Sequence, residues 1–177
     1  MRLSGITEES FVDGPGVRYV IFAQGCRHCC PHCQNPETWD ASAGKEFSVK
    51  QIIRLIKQQK KPKRGVTFSG GEPFLQAAEL AEVAISAHEK GWDVVTYTGF
   101  TYEELIADND DSVKALLSAS DILIDGKYIH ELRSAQLQFR GSSNQRIIDV
   151  VRTQKSGQIV LWGKGDLPID KTPAIMS

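Results

Sequence analysis

The sequence predicts an α/β protein: an open, partial (β/α) barrel with a parallel sheet and a C-terminal antiparallel hairpin. Three observations carry this. Runs rich in β-branched and aromatic residues alternate with amphipathic stretches in the order β-α-β-α-β-α-β, the pattern of parallel strands joined by crossover helices. The chain has 177 residues, enough for one domain with a real core but too few for eight β/α units. The residues with chemistry to offer follow directly on strand ends, the edge where such folds carry their sites. No repeat, low-complexity segment or linker divides the chain, so 1–177 reads as one domain.

Residues 1–16 read as an irregular lead-in ending in Asp13-Gly14-Pro15-Gly16, a turn by composition. A plain turn explains it; as a site loop it would aim Asp13 inward. Val17 to Gln24, VRYVIFAQ, is a buried strand. Ser48 to Lys60 is an amphipathic helix, capped by Ser48, with Val49, Ile52, Ile53 and Ile56 on one face. Its basic tail, Lys57, Lys60, Lys61, Lys63 and Arg64 around Pro62, reads as a solvated helix end rather than a docking patch for an acidic donor.

Gly65 to Ser69 leads into a second strand, followed by Gly70-Gly71-Glu72-Pro73 and a long helix, Leu75 to Lys90. The paired glycines let backbone approach a ligand closely, and Glu72 would then be free to accept from an ammonium or hydroxyl group. The plainer reading is a tight strand-to-helix turn with Pro73 near the first helical position. Trp92 to Thr98 is a third strand, and Thr101–Ala107 with Asp111–Ser118 make one helix or a broken pair. Asp121 to Asp125 is a fourth strand ending in Asp125-Gly126-Lys127. That edge is either a surface ion pair of little worth or a polar clamp for a zwitterionic ligand. Residues 128–140 hold about one helical turn, and 140–146 form a polar turn. RIIDVV then reads as a strand, Lys155-Ser156-Gly157 as a tight turn and Gln158–Trp162 as the returning strand. So short a connection requires an antiparallel hairpin. The tail after Gly163, with Pro168 and Pro173, reads as loop.

All four cysteines, Cys26, Cys29, Cys30 and Cys33, lie in the loop after the first of these strands, with His28 and His32 between them. Thiols this close would only staple one loop to itself, so a disulfide framework is excluded and metal ligation or thiol redox chemistry remains. Two adjacent C-x2-C pairs are one reading, a strained zinc site, and a thioredoxin-type pair is another. Cys26, Cys30 and Cys33 also form C-x3-C-x2-C, a loop able to wrap three thiolates around one cubic iron–sulfur cluster. Such clusters normally take four cysteines; a missing fourth leaves one iron for a substrate or cofactor, as at the open position of a catalytic zinc.

The bulk properties are ordinary: 41% hydrophobic, 24% charged, formal net charge −1. They offer nothing for nucleic acid or an anionic membrane as the main partner. The N-terminus lacks the apolar core of a secretory signal, and no apolar run reaches membrane-spanning length. Clustered thiols fit a reducing compartment, so a cytoplasmic location is expected.

Taken together, Cys26-x3-Cys30-x2-Cys33 after a strand and Gly70-Gly71-Glu72-Pro73 after the next resemble the radical S-adenosylmethionine enzymes. Asp13-Gly14-Pro15-Gly16 and Asn35-Pro36-Glu37-Thr38-Trp39 resemble, within these, the activating enzymes of glycyl-radical proteins. The short length and RGSSNQRIIDV at 140–150 are similar to the members that serve anaerobic ribonucleoside-triphosphate reductase. The resemblance runs from about residue 11 to about residue 150. It implies one 4Fe–4S cluster on Cys26, Cys30 and Cys33, with S-adenosylmethionine on its open iron. It places His32 against the adenine, with Gln34 and Cys33 flanking the same stretch. Gly70, Gly71 and Glu72 fall near the methionine amino group, Asp125 and Lys127 near the methionine and ribose, Asn144 at the pocket border, and Asp13 against the incoming glycyl loop. Cys29 is no ligand in that pattern. Tyr97-Thr98-Gly99 lacks the acidic residue that the larger pyruvate formate-lyase activators use for a monovalent cation.

The implied chemistry is one-electron cleavage of S-adenosylmethionine to methionine and a 5′-deoxyadenosyl radical, which takes the α-hydrogen of one glycine in a partner protein. Nothing beyond cluster and cofactor is needed as a catalytic group, and flavodoxin or ferredoxin is the implied electron donor. The rival readings are an activator of another glycyl-radical enzyme, a radical enzyme acting on a small molecule, and a cluster or zinc module that is no enzyme.

Overall fold

A computed structural model describes residues 1–163. Seven strands form one open sheet: β1 (Arg2–Ser10), β2 (Arg18–Ala23), β3 (Lys45–Glu46), β4 (Gly65–Gly70), β5 (Asp93–Tyr97), β6 (Ile122–Asp125) and β7 (Arg146–Asp149). Their order is β3-β1-β2-β4-β5-β6-β7. The centre, β2-β4-β5-β6, is parallel, as the alternating pattern predicts. The crossovers between its strands are α1 (Val49–Gln58), α2 (Ala77–Glu89) and the pair α3 (Tyr102–Ala107) and α4 (Asp111–Ala119). β1 and β7 pair antiparallel on the flanks.

Side-chain alternation sorts the sheet into two faces. Tyr19, Ile21, Val66, Phe68, Val94 and Leu123 face the helices and form the main core with Ile52 and Ile56 of α1, Leu80 and Val83 of α2, and Leu116 of α4. Each such buried side chain contributes about 2 kcal/mol of transfer free energy. Val95, Ile122 and Ile124 face the other way and pack with Tyr97, Phe139 and Trp162. The helix starts are chemically specified. Ser48 and Gln51 form a capping box at α1, as do Thr101 and Glu104 at α3.

The second face also buries Arg18, which is 0% exposed. Its guanidinium donates to Asp93 Oδ1 (2.6 Å), Thr67 Oγ1 (2.7 Å), Pro15 O (3.1 Å) and Val66 O (2.6 Å). Thr67 Oγ1 in turn donates to Asp13 O at 2.8 Å. The turn at 13–16 is therefore bolted to the sheet rather than loose.

Three expectations are corrected. Residues 2–10 are strand β1, not an irregular lead-in. Two register irregularities, between Leu3 and Gly5 and between Thr7 and Ser10, break its period-two alternation, so the hydrophobic pattern hides it. Among the described residues the C-terminal segment returns antiparallel, as expected, but not as a tight hairpin. After four strand residues Asp149 caps a helix, α5 (Val150–Ser156), accepting from Arg152 N at 2.8 Å. Gly157 ends that helix in the left-handed conformation, φ 71°, so the Lys-Ser-Gly run is a helix C-cap and not a hairpin turn. The returning segment still meets β7 antiparallel, through the bridge of Leu161 with Ile148 and hydrogen bonds from Asp149 N to Val160 O (2.9 Å) and Trp162 N to Ile147 O (2.8 Å). The basic tail of α1 is corrected only in part: Lys57 and Lys61 are exposed, as expected of a solvated helix end, but its last residues are tied down. Lys61 and Lys63 meet Glu9 of β1 at 3.2 and 3.5 Å, and Arg64 Nε meets Asp93 Oδ2 at 2.9 Å. The predicted loop after Gly163 lies outside the described residues. No helix among the described residues is long and apolar enough to cross a membrane.

Candidate active site

The parallel strands β2, β4 and β5 end at one edge, and the cysteine loop grows from it. Gly25 N donates to Thr38 O (2.8 Å) and Cys26 N to Trp39 O (3.2 Å), so the loop leaves β2 beside the segment that returns it. Gln24, 4% exposed, staples that return by donating to Glu37 O (3.0 Å) and Asp40 O (2.8 Å). Pro36–Thr38 form a 3-10 turn, and Thr38 Oγ1 closes it on Asn35 O at 2.7 Å. Within the loop Cys29 (φ 46°) and His32 (φ 57°) take left-handed backbone, unusual for residues with side chains. Their turns curl the chain so that its thiols separate into two groups.

Cys26, Cys30 and Cys33 line a cavity of about 530 Å³ at the strand ends. Cys29 is exposed and does not line it. The volume lies in the range of small-molecule and cofactor sites. Among the described residues no three or more His, Cys, Asp and Glu side chains converge tightly enough to hold a single metal ion. Three soft thiolate donors spread around one cavity suit an iron–sulfur cluster with room for a cofactor beside it. Burial pushes the Cys26 and Cys30 thiols up from their ordinary value, so metal binding there displaces protons.

Gly70 and Gly71 of the Gly70-Gly71-Glu72-Pro73 run line the cavity, with Glu72 and Pro73 buried behind them. Gly71 N donates to Ala23 O and Glu72 N to Gly25 O, both at 2.8 Å. A Cβ on Gly71 would collide with Gly25 O, which is why this approach requires glycine. Glu72 is not free for a ligand, contrary to the sequence expectation. It is 1% exposed, and its carboxylate accepts from Phe74 N (3.0 Å), Thr98 Oγ1 (3.0 Å to each oxygen), Gly99 N (2.8 Å) and His28 Nε2 (2.9 Å).

Of the remaining sequence candidates, Gly70, Gln34 and Asp13 line the cavity with the thiols. Asp13 also accepts from Ser10 Oγ at 2.5 Å. His32, Asp125, Lys127 and Asn144 are outside the lining. The His32 ring lies 4.3 Å from that of His130. Asp125 is 1% exposed; it accepts from Tyr102 N at 2.8 Å and pairs with Arg146, not with Lys127. Asn144 donates to Lys127 O at 2.8 Å and holds the loop between β6 and β7. Gln145, not singled out from sequence, organises that loop more fully. It accepts from Gly141 N and Ser142 N and donates to Gly126 O, at 2.8, 3.1 and 2.9 Å. Tyr97 was missed as well. Its hydroxyl donates to Phe139 O at 2.7 Å, and burial pushes its pKa above the usual tyrosine range. Phe11 and Val12 line the mouth at 70% and 75% exposure. Neither polar patterning nor a motif marks Phe11 and Val12 in the sequence, whereas Gln145 lies inside the RGSSNQRIIDV run.

The sequence is similar to those of known proteins. The 4Fe-4S single cluster domain family matches residues 12–148. The anaerobic ribonucleoside-triphosphate reductase-activating protein of Vibrio cholerae is 38% identical over 143 residues, 77% of this chain and 90% of that protein. The protein of the same name from Escherichia coli (strain K12) is 34% identical over 142 residues, 76% of this chain and 89% of it. The pyruvate formate-lyase-activating enzyme of Clostridium pasteurianum is 36% identical over 117 residues, 62% of this chain and 49% of that enzyme.

Proposed function

The chain belongs to the family of anaerobic ribonucleoside-triphosphate reductase-activating proteins, and on that premise we propose that it installs a glycyl radical on such a reductase. The observation that carries this reading is the sorting of the four cysteines: three thiols line the cavity at the ends of β2, β4 and β5, and the fourth does not. In this reading Cys26, Cys30 and Cys33 would hold the 4Fe–4S cluster, and Gly70, Gly71 and Gln34, which line the same cavity, would hold S-adenosylmethionine. When bound, cluster and cofactor supply one-electron cleavage of a sulfonium and removal of a hydrogen atom from glycine.

The chain's own residues bind, orient and exclude water. The backbone at Gly70–Gly71 permits close approach of the methionine end. Asp125 and Glu72 act from behind the wall: Asp125 fixes Arg146 and the start of α3, and Glu72 ties the cysteine loop to β5. The adenine role of His32 and the ribose-side roles of Lys127 and Asn144 come from the family resemblance; all three residues lie outside the cavity lining. The sheet curls as a partial barrel around this site, and residues 1–177 act as one domain. Asp13, Phe11 and Val12 at the mouth receive the glycine segment of the partner. Flavodoxin or ferredoxin supplies the electron, and the cytoplasm is the reducing setting that this chemistry needs.

The match to a pyruvate formate-lyase-activating enzyme favours one second reading, an activator of a different glycyl-radical protein. Anaerobic incubation with reductant, S-adenosylmethionine and the purified reductase tests both. A glycyl-radical doublet on the reductase with matching 5′-deoxyadenosine supports the first. Formation of 5′-deoxyadenosine without that doublet, and a doublet on another glycyl-radical protein, supports the second.

A further inference from the structure

Glu72 sits in a motif whose resemblance points it at the cofactor, yet its carboxylate is spent inside the protein. It lies where three chain segments meet. Its own turn follows β4, Thr98 and Gly99 follow β5, and His28 belongs to the cysteine loop. His28 is the loop's inward anchor: its side chain is 9% exposed, whereas Arg27 and Cys29 on either side are exposed. The imidazole has a seat built for it. Its edge meets the ring of Phe100 with centroids 4.6 Å apart. Gly99 leaves the space the ring fills, since a Cβ there would collide with His28 Cδ2. The Nε2 hydrogen bond to Glu72 Oε2 at 2.9 Å then fixes ring orientation as well as position. His28 lies two residues from Cys26 and two from Cys30, so a fixed ring fixes the backbone that presents both thiols.

We propose that His28 and Glu72 form a latch that holds the cysteine loop in its cluster-binding curve, with His28 as a positioning residue and Glu72 as its keeper rather than a cofactor ligand. The latch spans the strand ends over which the cavity opens, so it sets the distance between the thiols and the Gly99 side of that cavity. It does not depend on which glycyl protein is the partner.

The test uses the full chain, reconstituted anaerobically with iron and sulfide, as wild type, His28→Phe and His28→Gln. Phenylalanine keeps the packing on Phe100 but cannot donate to Glu72; glutamine restores a donor at nearly the Nε2 position. The readouts are the apo melting temperature, the rate of iron release to a chelator, and the electron paramagnetic resonance spectrum of the reduced cluster with and without S-adenosylmethionine. The expected result is iron release from His28→Phe faster by roughly 10-fold or more, the scale of outer-sphere losses at metal sites. Its spectrum should be altered and its apo melting temperature within a few degrees of wild type, with His28→Gln restoring both cluster properties. Wild-type release and spectrum in His28→Phe would overturn the proposal. So would losses in both variants that follow the apo melting temperature alone, because that is a structural role without positioning.

Discussion

The guanidinium of Arg18 meets the carboxylate of Asp93 at 2.6 Å on the sheet face away from the main helix core, with Arg18 wholly buried. Burial pulls the Arg18 pKa down and Asp93 pulls it back up, so the carboxylate offsets part of the cost of burying the guanidinium charge. The same guanidinium holds Pro15 O, and through Thr67 the carbonyl of Asp13. A buried ion pair thus serves as the foundation of the turn that lines the cavity mouth.

Breaking that pair leaves an uncompensated buried charge. Asp93→Ala should therefore cost about 3–5 kcal/mol of unfolding free energy in denaturant titration. Arg18→Met, which removes the charge and keeps much of the volume, should cost less in stability but should loosen the 13–16 turn. Proteolysis or hydrogen exchange at that turn is the check; protection equal to wild type would show that the turn holds without Arg18.

Phe11 and Val12 have no packing role that explains their exposure, and they line the cavity. If they receive the partner, replacing both by serine should slow glycyl-radical formation by roughly 10-fold, the scale of losing one or two interface anchors. Cleavage of S-adenosylmethionine in the absence of the partner should be unchanged. The two activities falling together would contradict the assignment.

The cysteines give a sharper contrast. Cys30→Ser should abolish cluster assembly, since it removes one of three thiolates. Cys29→Ser should leave iron content and cofactor cleavage within about 2-fold of wild type, as for an exposed side chain with no structural partner of consequence. Iron and sulfide analysis after reconstitution measures both.

Arg146 bridges the buried Asp125 to Glu103 on the surface, and donates to both oxygens of Glu103 at 3.0 and 2.7 Å. That pairing lowers the Glu103 pKa from its ordinary 4.5 to about 2. A depressed carboxyl contributes stability that is present above its unfolded value and fades as pH falls through the folded one. With the Glu103 side chain 59% exposed, solvent screening leaves the contribution at no more than about 1 kcal/mol. The melting-temperature gap between wild type and Glu103→Gln should therefore be small at pH 7 and shrink below pH 4.5 toward pH 2. A gap that widens on acidification would contradict the pairing.

Much of the site was legible because its residues are contiguous. The C-x3-C-x2-C spacing picks out Cys26, Cys30 and Cys33, the three thiols that line the cavity, though spacing also admits two C-x2-C pairs; Gly70-Gly71 stand out by composition after a strand. The parallel centre of the sheet was legible from periodicity alone. What stayed hidden depends on tertiary partners. Glu72 reads as a free carboxylate until Thr98, Gly99 and His28 converge on it from distant segments. Asp125 reads as a partner for Lys127 because only Gly126 separates them in sequence, whereas Arg146 reaches it from the paired position on β7. Strand β1 was concealed by its register irregularities, and α5 by a glycine that caps a helix as readily as it turns a hairpin.

The central claim is that three thiolates hold a cluster with one iron left for the cofactor. Its most direct test is the electron paramagnetic resonance spectrum of the anaerobically reconstituted, dithionite-reduced protein, before and after S-adenosylmethionine. The account predicts a 4Fe–4S signal that shifts on adding the cofactor, in wild type and in Cys29→Ser alike. A signal indifferent to the cofactor, or a preparation that holds zinc on all four cysteines and never forms a cluster, would contradict it.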